Sequence, residues 1–429
     1  MRLELGNIFI KDVQFGSETK VENGVLYVNK EELLAELVDE RLASIDVELA
    51  KPGESTRIVP VKDAIEPRVK VEGPGGLFPG FVSKVDMVGS GRTHVLKGAC
   101  VLTTGKVVGF QEGIVDMSGP GAEYTPFSKT NNIVIIAQPV EGLERHSHEA
   151  ALRLMGLKAA AYLGEAGRNV TPDEVVVYDC PPLQEALQQY PELPKVAYVY
   201  MLQSQGLLHD TYFYGVDVKQ ILPTFMYPTE VMDGAIVSGN CVSACDKNTT
   251  YHHLNSPIIH DLLERHGKDF NFIGVVVTNE NVTLADKERS SNFTAKLVHW
   301  LGVDGVIISE EGFGNPDADL IMNSTKLEKL GIKTVCVTDE YAGRDGASQS
   351  LADSNPLANA VVTAGNANEL IVLPPMERII GDASADVVDV IAGGFAGSLQ
   401  PDGSIKAEIQ IITGATNELG FNKMSARML

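Results

Sequence analysis

The sequence predicts an α/β protein with a mainly β N-terminal domain, a second α/β segment and a Rossmann-like parallel sheet in the C-terminal half. Three observations predict it. Hydrophobic residues make up 44% of the 429 residues and aromatics only 6%, so the core rests on Val, Ile, Leu and Ala, the mix of globular α/β proteins. The N-terminal third is rich in Gly, Pro and β-branched residues in short alternating runs. From Phe272 onward strand-like and helix-like segments alternate regularly, which argues for a parallel sheet with covering helices.

The first ten residues alternate Leu3, Leu5 and then Ile8, Ile10 with polar neighbours, a strand pattern without the apolar block of a signal peptide. Val69-Lys70-Val71 and Val107-Val108-Gly109-Phe110 read as further strands, and Gly73-Pro74-Gly75-Gly76 and Gly119-Pro120-Gly121 as turns, so residues 1–135 form the mainly β domain. Gly89-Ser90-Gly91-Arg92 lacks the strand, spacing and helix of a phosphate-binding motif. Residues 136–240 form the second segment. It follows an apolar strand at 132–137 and contains a helix whose Leu152, Met155, Ala159, Tyr162 and Leu163 recur at three and four residues, then strands at 175–178 and 196–201. His146 and His148 are expected just before that helix. Residues 241–429 form the Rossmann-like region, with strands at 272–278, 306–309 and 334–337, helices near 291–301 and 317–330, and strands at 360–362 and 369–373 extending the sheet. Phe293, Leu297, Trp300 and Leu301 mark a core-facing stripe on the first of these helices. Ligands of such sheets sit beyond the carboxyl ends of the strands, which draws attention to the polar segments 310–315 and 339–346.

Fifty-seven acidic against 35 basic residues give a formal net charge of -22. That opposes polyanion partners, so neither nucleic acid nor an anionic membrane surface is expected. No segment approaches the roughly 18 uninterrupted apolar residues of a membrane span. Cys100, Cys180, Cys241, Cys245 and Cys336 are odd in number and sparse, unlike a secreted disulfide framework. They read as reduced thiols in a cytoplasmic protein.

Chemistry concentrates in residues 238–253, which hold Cys241, Cys245, Asp246, His252 and His253. Zinc would suit thiolate and imidazole, but Cys-x3-Cys followed by adjacent histidines is a poor ligand spacing, and no metal site is assigned. A redox pair wants Cys-x-x-Cys. A polar loop with incidental cysteines is a further reading. Autoprocessing at Asn240-Cys241 is another: Gly239 permits an unusual backbone, and attack of the Cys241 sulfur on the Asn240 carbonyl gives a thioester. Loss of the α-proton then eliminates the acylated sulfur, and hydrolysis of the resulting imine leaves a pyruvoyl group. Asp246, His252 or His253 would serve as acid and base.

The chain resembles the proprotein of component B of the glycine, sarcosine and betaine reductases from end to end. The resemblance runs through Met1 to Gly6, Lys51 to Arg57, Gly89 to His94, Gly206 to Tyr212, Met232 to Ile236, Ser238 to Asn248, Ala285 to Ser291 and Glu340 to Asp353. It implies cleavage between Asn240 and Cys241 and a pyruvoyl cofactor derived from Cys241, which takes up the amine of glycine, or of sarcosine, and draws electrons from its C–N bond. It also implies a hetero-oligomer. A selenocysteine-containing subunit completes the site, a small selenoprotein takes the carboxymethyl group, and a further component releases acetyl phosphate. Betaine reductase component B and D-proline reductase are the related alternatives, and an unprocessed thiol and histidine scaffold is the unrelated one. Arg344, suited to a bidentate grip on a carboxylate, is the candidate for the substrate carboxylate, with an ion pair to Asp339 or Glu340 as its structural alternative.

Overall fold

The computed structural model describes residues 1–206, 208, 211–239 and 242–421. In chain order, strands β1 (Arg2–Phe9), β2 (Leu42–Ala50), β3 (Thr56–Ile65), β4 (Arg68–Glu72), β5 (Gly91–Lys97), β6 (Ala99–Thr104), β7 (Gly113–Asp116) and β8 (Asn131–Pro139) precede helix α1 (Arg145–Glu165) and strand β9 (Glu174–Asp179). They build two sheets, β9-β1-β5-β4 and β7-β3-β6-β8-β2. All ten residues of β3 are buried, and Leu152, Met155 and Ala159 of α1 enter the same core as Ile65, Val101 and Ile133. His146 and His148 lie inside α1. Two residues apart on a helix, they diverge: His148 is buried and His146 exposed.

The second half begins with β10 (Lys195–Leu202), β11 (Thr224–Met226), β12 (Ile236–Ser238) and the short helix α2 (Thr250–Leu254). There follow β13 (Asn271–Asn279), α3 (Leu284–Leu301), β14 (Gly305–Ser309), α4 (Asn315–Lys329), β15 (Lys333–Glu340), β16 (Val361–Asn366) and β17 (Arg378–Gly381). The expected alternation is present, in a sheet ordered β11-β13-β10-β14-β15-β16. Its strands run parallel except β11, which is antiparallel to β13. The sheet crosses residue 240, because β10 sits between β13 and β14. Alternate residues of β10 serve two cores: Ala197, Val199 and Met201 pack with Val298, Leu320 and Leu327, and Tyr198, Tyr200 and Leu202 with Val231, Ile236 and Val275.

Local chemistry sets the helices over this sheet. Thr283 caps α3 by accepting from the Asp286 N–H, and Gly302, at φ 61°, ends it in the left-handed region. Asp317 in the first turn of α4 and Lys326 and Lys329 in the last complement its dipole. Of the apolar stripe expected on α3, Leu301 is buried in the core and Leu297 packs against it, and the rest is displaced. Trp300 is 68% exposed, and Ser291, Thr294, Ala295 and Val298 face inward. Small side chains let the helix approach the sheet, and Phe293 and Trp300 flank the Lys296 ammonium at the surface. Residues 361–366 extend the sheet as expected, but Leu370–Leu373 pairs antiparallel with Ile405–Glu408 instead. Strand β17 leaves the region altogether and adds, parallel, to β3.

Candidate active site

The described residues on either side of 240 and 241 are pinned to each other and to β3. The Ser238 N–H, at the end of β12, donates to Thr250 Oγ1 at 3.1 Å as α2 begins. The N–H and hydroxyl of Thr250 donate to Asp63 of β3 at 2.9 and 2.8 Å. Asn240 and Cys241, the expected cleavage residues, lie outside the described residues.

After them, Val242, Ser243 and Asp246 line a cleft of about 150 Å³ together with Gln203, Phe313 and Tyr341. Gln203 and Tyr341 directly follow β10 and β15, and Phe313 lies four residues beyond β14, so the cleft opens at the carboxyl edge of the parallel sheet. The Tyr341 ring stacks on Phe313 with centroids 3.8 Å apart. Its hydroxyl donates to Asp246 Oδ2 at 3.3 Å and lies 3.5 Å from Cys245 Sγ. Behind it, Thr416 Oγ1 donates to Asp339 Oδ2 at 2.8 Å. The other oxygens, Asp246 Oδ1 and Asp339 Oδ1, are buried without partners among the described residues. Cys245 Sγ and one oxygen from each carboxyl lie within 4.8 Å of one another.

Burial pushes the Asp246 carboxyl up to about 7. The same cause, with the neighbouring Asp246 charge, lifts Asp339 well above the carboxylate range. Glu280, Glu310 and Glu418 are raised likewise, first by burial and then by a neighbouring carboxylate, Glu311 for Glu280 and Glu418 and Asp317 for Glu310. Glu311 ties this acidic layer to the loop: it accepts from the Asn248 N–H at 3.1 Å, from the Gln203 N–H at 3.2 Å and from Thr211 Oγ1 at 3.1 Å. The segment near residue 416 grips the other side, with Gly414 N–H on the Ala244 carbonyl and Asn417 on the Lys247 carbonyl and Asn248 side chain. Lys247 Nζ donates to the Lys62 and Gln111 carbonyls, and burial lowers its pKa to about 8.

Of the expected site residues, Asp246 lines the cleft and the histidines do not. His252 Nδ1 meets Thr249 at 2.9 Å, and its ring packs against Phe127 and Phe421. His253 Nδ1 meets the Tyr200 hydroxyl at 2.7 Å. Burial lowers both to about 3, so they are neutral core groups near pH 7. Arg344 Nε pairs with Glu408 at 2.7 Å, and its guanidinium lies over Phe395. Neither Asp339 nor Glu340 is its partner, and it is not among the residues lining the cleft. The other cysteines, Cys100, Cys180, Cys245 and Cys336, are buried free thiols. Tyr341, Asp339 and Glu311 lie in the two polar segments that the position rule singles out. Thr416 and Glu418 follow no strand of this sheet and carry no such signal.

The family model for glycine/sarcosine/betaine reductase component B subunits matches residues 1–427. Glycine reductase complex component B subunits alpha and beta of Acetoanaerobium sticklandii is 73% identical over 428 residues, with all of both chains covered. The protein of the same description from Peptoclostridium acidaminophilum is 68% identical over 428 residues, and sarcosine reductase complex component B subunit alpha of that organism 62% over 428, again with full coverage of both chains. No solved structure matches.

Proposed function

This chain belongs to the family of glycine/sarcosine/betaine reductase component B subunits, subunits of a reductase complex, and from that premise we propose that it is a self-cleaving precursor whose Cys241 becomes a pyruvoyl group. The observation that carries the reading is that Val242 and Ser243, immediately after Cys241, line a cleft with Asp246 at the carboxyl edge of the sheet.

The Cys241 sulfur attacks the Asn240 carbonyl, and the peptide nitrogen leaves as the free amine of residue 241. Removal of the Cα proton expels the sulfur with its acyl group as a thiocarboxylate, which water hydrolyses. The dehydroalanine tautomerises to an imine, and water replaces its nitrogen, which departs as ammonia. Asp246 is the acid and base best supplied for these transfers, because burial brings it to about 7, and Tyr341 fixes its orientation through Oδ2. The buried neutral histidines support the loop instead. A pyruvoyl group supplies a ketone that takes up an amine and draws electrons from its C–N bond.

Glycine is the substrate we favour. The two glycine reductase relatives are 73% and 68% identical and the sarcosine reductase relative 62%. Betaine's quaternary nitrogen has no N–H to exchange, so it fits a ketone poorly. In this reading a selenocysteine-containing subunit completes the site, a partner selenolate takes the carboxymethyl group, and another component forms acetyl phosphate. Among the described residues no helix is long and apolar enough to cross a membrane, and a cytoplasmic location fits an anaerobic amino-acid reductase.

Intact-mass analysis of active material tests the proposal. Two fragments are expected, residues 1–240 and 241–429, the second of 189 residues (429 minus 240) and trapped by borohydride or hydrazine. Cys241→Ala should abolish both cleavage and trapping, while Cys245→Ala should leave cleavage largely intact. An uncut chain in active material overturns the reading.

A further inference from the structure

We infer that the paired carboxyls of Asp246 and Asp339 form a seat for the protonated amine of the substrate, so that this chain recognises the ammonium end of the amino acid and leaves the carboxylate end to another part of the complex. The inference deepens the proposed function and rests on its assignment of an amine substrate.

Each carboxyl is held by one oxygen and offers the other. Tyr341 donates to Asp246 Oδ2 and Thr416 to Asp339 Oδ2, and among the described residues neither Oδ1 has a donor. Ionising both of these buried carboxyls is costly unless a cation sits between them. A nitrogen at about 2.8 Å from two oxygens bridges up to about 5.6 Å between them. One oxygen from each carboxyl falls within 4.8 Å of the other, inside that reach. Around Asp339 the charge has the same sign, since Glu418 and Asp317 add to the field that raises it, while the buried Lys247 acts on Asp246 in the opposite sense. Both carboxyls are about 2% exposed, and Asp246 also lines the open cleft, so a small ligand has an approach from solvent.

Among the described residues lining the cleft none is cationic, and the Arg344 guanidinium is engaged by Glu408. A carboxylate therefore has no counter-charge in the cleft wall, whereas an ammonium meets Asp246 there, with Asp339 buried beside it. Passing one N–H proton to Asp246 converts the ammonium to the neutral amine, the form that adds to a carbonyl, and leaves the second carboxyl to hold the nitrogen. A primary ammonium has N–H bonds for both carboxyls with one to spare, a secondary ammonium has one for each, and a quaternary ammonium has none.

The full-length Cys241→Ala chain, which cannot form the ketone, isolates this seat. Calorimetry or ligand-observed NMR should detect binding of methylammonium and glycine, and neither acetate nor tetramethylammonium should compete. Asp339→Asn in that background should weaken methylammonium at least about tenfold, the loss expected for one charge-assisted hydrogen bond, while Asp261→Asn on the surface should change nothing. Acetate binding as well as methylammonium overturns the inference. So does a stoichiometric Co²⁺ complex with a thiolate band that Cys245→Ser removes, which would make the same three groups a metal site. The ligand series needs no variant beyond Cys241→Ala, so it decides the matter even if Asp339→Asn does not fold. Failure of the processing reading shows separately, as an uncut wild-type chain.

Discussion

His253 gives one ring nitrogen to Tyr200 and buries the other without a partner, and His252 does the same beside Thr249. Each imidazole falls from an ordinary value of 6.5 to about 3 because burial penalises the cation. Between those values the unfolded chain binds more protons than the folded one. The stability from keeping each ring neutral is thus complete above about pH 6.5 and lost as the pH falls toward 3, with a slope of about 1.4 kcal/mol per pH unit for each proton. Asp246 works in the opposite sense: its value rises from 3.8 to about 7, so its contribution is greatest in acid and lost as the pH rises through 7. Because the two kinds of group oppose each other in the wild type, a single substitution separates them. His253→Gln should reduce the rise in stability between pH 4 and 6 by about one proton's slope, measured by urea unfolding across that range. An unchanged slope would mean that the His253 ring is charged in the folded protein.

At the scale of elements, the loop is seated by what faces it. Gly312, at φ 93°, lies so close to the loop that an added Cβ would come within 2.8 Å of Gln203 Nε2 and 2.9 Å of Val242 Cγ1. Gly314, at φ 88°, has nothing within 4 Å of that position. Both substitutions to Ala carry the strain of a left-handed backbone, about 1–3 kcal/mol, but only Gly312→Ala pushes on Val242. Cleavage, followed by intact mass over time, should slow more than about tenfold in Gly312→Ala, the cost of shifting a packed loop by a few tenths of an ångström, and should stay near the wild-type rate in Gly314→Ala. Equal rates in the two variants would detach the loop from this wall. The same elements show where sequence patterns inform and where they stop. Periodicity located β10, β13, α3, β14, α4 and β15 because each is long and buried on at least one face. It placed Leu297 and Leu301 of α3 correctly but not Trp300, since a helix lying close to a sheet buries Ser291, Thr294 and Ala295 and leaves Trp300 in water. At the site, Asp246 and the strand-following segments were legible because chemistry and strand ends announce them. The grip from Thr416 and Glu418 was not, because it arises from a contact of more than 70 residues' separation with Asp339 and more than 160 with Asn248.

For the whole molecule, the decisive feature is that the proposed cut falls inside a shared sheet. Strand β10 belongs to residues 1–240, yet it lies between β13 and β14 of the other fragment, paired along Lys195 to Leu202 on one side and Val196 to Tyr200 on the other. In return, β17 of the second fragment pairs with β3 of the first through Arg378 to Gly381. Pulling the halves apart would break both strand pairings and expose Ala197 to Leu202, which are fully buried. At about 25 cal/mol per Å² of apolar surface, together with the lost sheet hydrogen bonds, that is a cost on the scale of global unfolding. The cut therefore creates a new terminus at residue 241 without creating two separable proteins. Processed material should elute from native size exclusion as one species containing both fragments, in salt as well as in low-salt buffer, and should resolve into two only in denaturant, at the same urea midpoint at which far-UV circular dichroism is lost. Residues 1–240 and 241–429 expressed separately should each fail to reach the secondary structure of the whole, and recover it when refolded together. Fragments that part under native conditions, each still folded, would show that the sheet is not shared.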